Sequence, residues 1–119
     1  MSQNQFLHLT TRAAWEDAQK VGIYSLSTKG KTIEEVGFIH GSFEDQVDEV
    51  AGFVFAGSDE ELVLLHLDIN RLNAAGIEVR VEEAKNGKKY PHIYAAFACE
   101  LVDKVSSAHM SAEDALIIH

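Results

Sequence analysis

The chain has 119 residues, 46% of them hydrophobic and 24% charged, which is typical of one globular domain, residues 1–119, with a single core. Its 19 acidic and 10 basic residues give a formal net charge of -9, which disfavours a nucleic-acid partner. The single cysteine excludes an internal disulfide and favours a reducing compartment. Because no apolar run has the length of a membrane span or of a secretory leader, we predict a cytoplasmic protein without a membrane partner.

The first part of the chain predicts a strand and then a helix. Residues 6–10 alternate between two faces, which is typical of a short strand. Thr10 or Thr11 is suited to cap the following helix. The apolar residues of this helix recur at steps of three and four, and Gly22 is expected to end it.

Residues 23–35 are polar and irregular and predict a mobile surface loop. The Gly-Lys-Thr sequence at residues 30–32 resembles the end of a Walker phosphate-binding loop. That motif requires glycine where Ser25 stands, so we set this interpretation aside. Tyr24 has two interpretations: it either fills the core or forms an aromatic wall of a pocket.

Residues 36–42 predict a buried strand that ends in His40 and leads through a glycine turn to a helix capped by Ser42. Asp45 completes a variant of the capping box with Ser42. The apolar stripe that follows recurs at helical steps until Gly57 ends it. Since free N–H groups at a helix start favour anions, this junction predicts a pocket for an anionic ligand.

The following segment predicts a buried strand and a capped turn. Residues 61–67 are almost continuously apolar, which is typical of a strand covered on both faces. His66 within it is expected to be a hydrogen-bonded interior histidine. Asp68 is placed to cap a short turn at residues 69–72.

Residues 77–82 alternate, so their three charged side chains share one face, which is either solvated or lines a groove. Asn86-Gly87 then predicts a hairpin turn, because both residues tolerate positive φ. Pro91 lacks an N–H donor, so residues 90–94 are expected at a sheet edge or in an irregular extended segment.

The last part of the chain predicts one more strand over residues 97–105, with Cys99 as a small core residue. Residues 111–114 are expected to cap a final turn of helix. The whole pattern predicts an α+β domain with two main helices on a mixed or antiparallel sheet.

Three histidines, His8, His40 and His92, each lie at an element end or beside a rigid turn, and we expect their rings to converge on one cleft. Structural histidines remain the alternative interpretation for each. Their spacing is not that of a zinc site, so no metal is predicted. No Gly-x-Ser-x-Gly sequence occurs, and a Ser-His-Asp hydrolase is set aside.

Four segments resemble, in order, the motifs of a small bacterial family known as domain of unknown function 952. They are residues 6–10, residues 37–42 with Gln46, Arg80 with Glu82, and residues 90–94. The resemblance covers about residues 6–97. Gly41 stands where the family often has cysteine, which argues against a thiol role, and Ala95 stands where it often has glycine.

The same pattern is more distantly similar to the NAD-binding lobe of ADP-ribosyltransferases and RNA 2'-phosphotransferases. In that lobe, a His-x-Thr and a His-x-Ser on two strands contact NAD or ADP-ribose. His8 with Thr10, and His40 with Ser42, match these motifs. The resemblance implies an ADP-ribosyltransferase-like bent β fold that encloses a nucleotide cleft.

Two functions follow, and both leave the oligomeric state open. In the first, the protein binds or acts on NAD or an ADP-ribose-type small molecule, as a transferase-like enzyme. The catalytic candidates are His40 and Glu82, with Glu83 as the alternative carboxylate, and the ligand-binding candidates are His8, Thr10, Tyr24, Ser42, Arg80, His92 and Tyr94. His8 and His40 would bond ribose hydroxyls, and the helix start at residues 42–45 would bind a phosphate. Tyr24 or Tyr94 would stack on a ring of the ligand. In the second, the protein is a non-catalytic binding module for a small anion or a protein, and the histidines hold its cleft together.

Overall fold

The computed structural model describes residues 4–27 and 31–119. Strand β1 (Gln5–Thr11) passes directly into helix α1 (Arg12–Val21). The Thr11 hydroxyl accepts a hydrogen bond from the first turn of this helix, and Gly22 ends it in the left-handed conformation with φ 92°. The predicted strand, cap and terminating glycine are therefore confirmed.

The segment predicted as an irregular loop contains two regular elements. Strand β2 (Ile23–Tyr24) follows α1 at once, and helix α2 (Ile33–Val36) begins after a capping box between Thr32 and Glu35. The loop prediction is wrong for these residues. Residues 28–30, with the first part of the Gly-Lys-Thr sequence, lie outside the described residues.

The predicted strand over residues 36–42 is wrong for most of its length. Val36 belongs to α2, which ends at Gly37 with φ 100°, and strand β3 covers only Ile39–His40. Ser42 then forms an isolated antiparallel bridge with β1. The acceptors left free at the end of α2 favour a left-handed glycine here, which interrupts the strand before it can form.

Helix α3 (Val47–Val54) begins later than predicted, and its N-cap is Gln46, not Ser42. The Gln46 carboxamide accepts the N–H of Phe43 at 3.0 Å and so holds the turn before the helix. The predicted capping box between Ser42 and Asp45 is therefore wrong. The helix also ends three residues before Gly57, which has φ 77° in the turn beyond it.

Strand β4 (Leu62–Asp68) confirms the predicted strand, and helix α4 (Ile69–Ala74) confirms the predicted turn with Asp68 as its cap. The Asp68 carboxylate accepts the N–H groups of residues 70 and 71 at 2.8 and 3.1 Å. His66 is partly buried and bonds the Ser106 hydroxyl at 2.8 Å, in agreement with the sequence-based interpretation.

Strands β5 (Val79–Glu83) and β6 (Lys89–Ile93) form the predicted hairpin, in which Gly87 has φ 80°. β6 is the central strand of its sheet, so the prediction that Pro91 lies at an edge is wrong. The Pro91 carbonyl accepts the N–H of Gly41 at 2.9 Å. The N and C=O of one strand residue point to the same side of the strand. The Pro91 nitrogen, which has no hydrogen to donate, therefore faces Gly41, the first residue after β3, and no hydrogen bond within β3 is lost.

The predicted strand over residues 97–105 is divided. Strand β7 (Phe97–Ala98) is followed by a 3-10 turn (Cys99–Leu101), and strand β8 (Lys104–Met110) lies in a different sheet. The predicted final helical turn is also wrong, because residues 111–114 form the tight connection to strand β9 (Leu116–Ile118).

The strands form three sheets, of order β1-β4-β8-β9, β2-β7 and β3-β6-β5, and all their pairings are antiparallel. Odd-numbered β4 residues join the main core, which also receives side chains from β1, α1, β2, β3, α4, β6 and β7. Leu62 of β4 packs with α3 on the opposite face. The result is an α+β domain with one core shared by three antiparallel sheets. None of its described helices has the length and hydropathy of a membrane span.

Candidate functional site

The three-stranded sheet has one apolar face and one polar aromatic face. Ile39, Val79 and Ile93 are register partners that pack into or against the main core. Because side chains alternate along a strand, the residues between them point to the opposite face. We call this opposite face the histidine face, and its members are Phe38, His40, Arg80, Glu82, Tyr90, His92 and Tyr94.

Glu82 is the centre of the hydrogen bonding on the histidine face. Its Oε1 atom accepts the Tyr94 hydroxyl and also the Nδ1–H of His92, at 2.8 Å. These two bonds, with the larger effect from Tyr94, hold the pKa of Glu82 below its usual range. The carboxylate is therefore ionised at neutral pH, and no described residue hydrogen-bonds its second oxygen, Oε2.

The His92 ring is fixed at one face and at one nitrogen. It is 8% exposed, and the Phe38 ring stacks on it with 4.0 Å between centroids. The hydrogen bond to Glu82 then sets its rotation. His92 therefore positions the carboxylate more than it offers an open contact surface.

His40 contrasts with His92 because its ring makes no hydrogen bond to any of the described residues. The ring lies between Tyr90, at 5.2 Å, and His92, at 5.6 Å between centroids. Burial, with a smaller effect from His92, lowers the pKa of His40 to about 4. At neutral pH the ring is uncharged and offers one donor and one acceptor.

Arg80 forms the exposed end of the histidine face. Its guanidinium lies 4.7 Å from the centroid of the Tyr94 ring and bonds the Glu78 carboxylate at 2.6 Å. The bond to Glu78 raises the pKa of Arg80 further. The charged side chains of Glu78 and Arg80 are therefore paired with one another, and Arg80 places a cation beside the ionised Glu82.

His8 lies behind this face, and its ring is only 2% exposed. Its Nδ1–H donates to the His40 carbonyl at 2.6 Å, and its Nε2 accepts the Tyr24 hydroxyl at 2.7 Å. Burial lowers the pKa of His8 to about 4, so the ring is neutral. Both ring nitrogens are used inside the protein, and the expectation that His8 bonds ribose hydroxyls is wrong.

Tyr24 and Thr10 belong to the same interior layer as His8. The Tyr24 side chain is fully buried, and its ring contacts Trp15 and Phe97. Burial raises its pKa, and a hydrogen bond from Thr10 offsets part of this effect. The core interpretation of Tyr24 fits this position, whereas a wall of an open pocket does not, and Thr10 is likewise buried.

The predicted anion site at the start of the second long helix is not formed. Ser42 is 3% exposed and lies four residues before the N-cap of α3. Four carboxylates surround the helix start: Glu44 and Asp45 before it, and Asp48 and Glu49 in its first turn. Their charge opposes a phosphate, so the expectation of a phosphate there is wrong.

The three predicted histidines lie near one another, but they form a chain of contacts and not one open cleft. His8 bonds the backbone of His40, and the His40 ring faces His92. Two members of the histidine face, Phe38 and Tyr90, were not predicted as site residues. The period-2 alternation that placed Arg80 and Glu82 together could have found them.

Two concavities adjoin this region. A groove of about 1380 Å³ lies mainly over the four-stranded sheet, with Val81 on its border and no residue of the histidine face in its wall. A much smaller cavity, of about 10 Å³, lies between His8, His40, Ser42, Ser27 and the apolar side of α3. Over residues 4–27 and 31–119, no group of three or more metal-ligating side chains is placed to hold an ion.

Comparison with known proteins gives a family and a fold. A family model described as "Protein of unknown function (DUF952)" matches residues 9–105. The crystal structure of protein CC0527 from Caulobacter crescentus is similar with a TM-score of 0.81 and 25% identity, over 95% of this chain and 93% of that chain. The solution NMR structure of CC0527 gives a TM-score of 0.73 and 24% identity, over 95% and 91%. A search of curated proteins found no match. Since the family model covers well over half of its length, the chain belongs to the DUF952 family of proteins of unknown function.

Proposed function

We propose that the histidine face binds a ribose-containing nucleotide of the NAD or ADP-ribose type. The observation that carries the proposal is the ionised Glu82 carboxylate, which is fixed through Oε1 while Oε2 is without a partner among the described residues. A carboxylate held in this way accepts sugar hydroxyls without having to reorganise. The ADP-ribosyltransferase-like relation expected from the sequence is part of this proposal.

The uncharged His40 ring supplies the second polar contact. The ring nitrogen on the histidine face can bond a sugar hydroxyl in either tautomer of the uncharged ring, because a hydroxyl both donates and accepts. Its low pKa keeps it in this form throughout the neutral range. His40 and Glu82 lie on either side of His92, so they frame one ligand position.

Arg80 and Tyr94 supply the contacts for the rest of such a ligand. Arginine recognises phosphate through its planar fork, and an exposed guanidinium beside Tyr94 takes the role expected of the helix start. The partly exposed Tyr94 ring offers a stacking surface. If the bound ligand reacts, Glu82 is the group that would stabilise positive charge at the anomeric carbon, as carboxylates do in glycosyl transfer.

Isothermal titration calorimetry with ADP-ribose and NAD tests the proposal. We expect binding to the wild type, and a loss of about tenfold or more in Glu82→Gln and His40→Ala, because each removes a hydrogen-bonding group from the ligand position. Glu83→Gln is the matched control, since Glu83 is exposed on the neighbouring position of the same strand and points to the other face. Absence of binding to the wild type, or equal losses in Glu82→Gln and Glu83→Gln, would exclude the proposal.

The non-catalytic module remains the second candidate, and the environment of His8 favours it. His8 uses both nitrogens for internal bonds, as expected of a histidine that holds a fold together. The net charge of -9 also opposes polyphosphate ligands. If NAD binds and no nicotinamide is released from it on prolonged incubation, the site is a binding site only.

A further inference from the structure

The small cavity behind His40 contains an unusual concentration of polar groups without partners. Ser27 is 1% exposed, and its hydroxyl is buried without a hydrogen bond to any described residue. The Ser42 hydroxyl and the His40 ring, which also belong to residues of the cavity wall, make no hydrogen bond within the described chain either. One fully buried hydroxyl and two further polar groups without a protein partner line one void, which points to a molecule that bonds them all.

The size of the cavity decides what it can hold. Its volume of about 10 Å³ is close to the minimum for one water molecule and is too small for any larger ligand. The remaining wall is apolar and is formed by Leu9, Val50, Val54 and Phe55, so a water would bond only the polar side. A buried water requires two to four polar partners, and this wall provides three.

We infer that the cavity is a binding site for a single buried water molecule that links Ser27, Ser42 and the His40 ring. The fourth polar wall residue, His8, is already saturated by Tyr24 and the His40 carbonyl. Bonding one His40 nitrogen to an internal water orients the ring and favours one tautomer on the histidine face. Ser27 and Ser42 are then positioning residues for His40, whether or not that face binds a nucleotide.

A high-resolution crystal structure of the wild-type protein tests the site directly. We expect electron density for one water within hydrogen-bonding distance of the Ser27 hydroxyl. A cavity without density, or a wall in which the three groups bond one another, would overturn the inference.

The stability of Ser27→Ala gives a second test, because the expected change in stability differs between a cavity that holds a water and a dry cavity. If the water is present, removal of the hydroxyl takes away one of its bonds, and the unfolding equilibrium constant in urea rises roughly fivefold. If the cavity is dry, the substitution removes an unsatisfied buried hydroxyl, so stability is unchanged or increased, and the inference fails. Ser25→Ala is the control, because Ser25 is exposed two residues earlier and no change is expected there.

The link to His40 has its own readout in the ring-nitrogen chemical shifts. We expect the ¹⁵N shifts of His40 to indicate a single tautomer in the wild type and a mixture in Ser27→Ala and Ser42→Ala. Unchanged His40 shifts in both variants would overturn the positioning role. Because this measurement requires no nucleotide, its outcome is independent of the calorimetry proposed above.

Discussion

His8 and His40 lie one hydrogen bond apart, yet their rings have different surroundings. The His8 ring is enclosed, and both of its nitrogens bond protein atoms. The His40 ring is partly exposed and bonds none of the described residues. Burial lowers the pKa of both rings to about 4, so the pKa alone does not distinguish a structural histidine from a candidate ligand contact. The distinction lies in the hydrogen-bond partners.

Acid should produce the largest effect, because it acts on both rings. Each histidine binds a proton near pH 6.5 in the unfolded chain and near pH 4 in the folded protein. The unfolded state therefore binds more protons in this window, and stability that is complete above pH 6.5 is lost as the pH falls towards 4. At about 1.4 kcal/mol per pKa unit, we expect a loss of roughly 3 kcal/mol for each ring.

Urea unfolding measured across that pH window tests this expectation. His8→Gln should lose the part of the pH dependence that belongs to His8 and retain the part that belongs to His40 and the other titrating groups. A pH-independent free energy of unfolding in the wild type would contradict the burial of neutral rings.

Substitution of each histidine should change the stability of the protein less than acid does, and by a different amount for the two residues. His8→Gln disturbs two buried hydrogen bonds, and we expect a loss of about 2 kcal/mol of stability. His40→Gln removes no bond to the described residues and only the bond to the cavity water, so its loss of stability should be about half as large. Equal losses in thermal melts of the two variants would show that the two environments do not differ as described.

The smallest effects are expected from two tyrosine hydroxyls, one in each environment. Tyr24→Phe leaves Nε2 of His8 without its donor in the interior, which should cost about 1 kcal/mol in urea unfolding. Tyr94→Phe should leave stability almost unchanged. It should instead raise the pKa of Glu82, since the Tyr94 hydroxyl is the main group that lowers it. A carboxyl NMR titration of Glu82 measures this shift, and an unchanged pKa would contradict the assigned hydrogen bond.

Elements with local signals could be predicted from the sequence. Thr11 and Gly22 bound α1, Asp68 caps α4, and the glycine turn joins β5 to β6, and each signal acts within a few residues. Helix α2 has an equally local signal, the Thr32–Glu35 capping box, which the loop prediction for this segment does not use. The local signals could therefore have given more of the helices than were predicted.

Features that depend on distant partners could not be predicted in this way. β6 becomes a central strand only because β3 pairs with it, and the break of the last predicted strand depends on the pairing of β7 with β2. The same holds for the candidate site. Alternation along β5 predicts that Arg80 and Glu82 share one face. The internal hydrogen bond of His8, in contrast, requires the Tyr24 hydroxyl, and Tyr24 lies in β2, a segment predicted to be a loop.

The position of Gly41 has a consequence for the way the sequence can change. A methyl group at this residue would lie 2.8 Å from Cδ2 of the Phe6 ring and 3.0 Å from the Pro91 carbonyl oxygen. Any homologue that acquires a side chain at position 41 must therefore have a smaller or shifted residue at position 6, or a wider gap between the first strand and the proline strand. We expect positions 6 and 41 to co-vary among members of the family, because their combined size sets the distance between the two sheets.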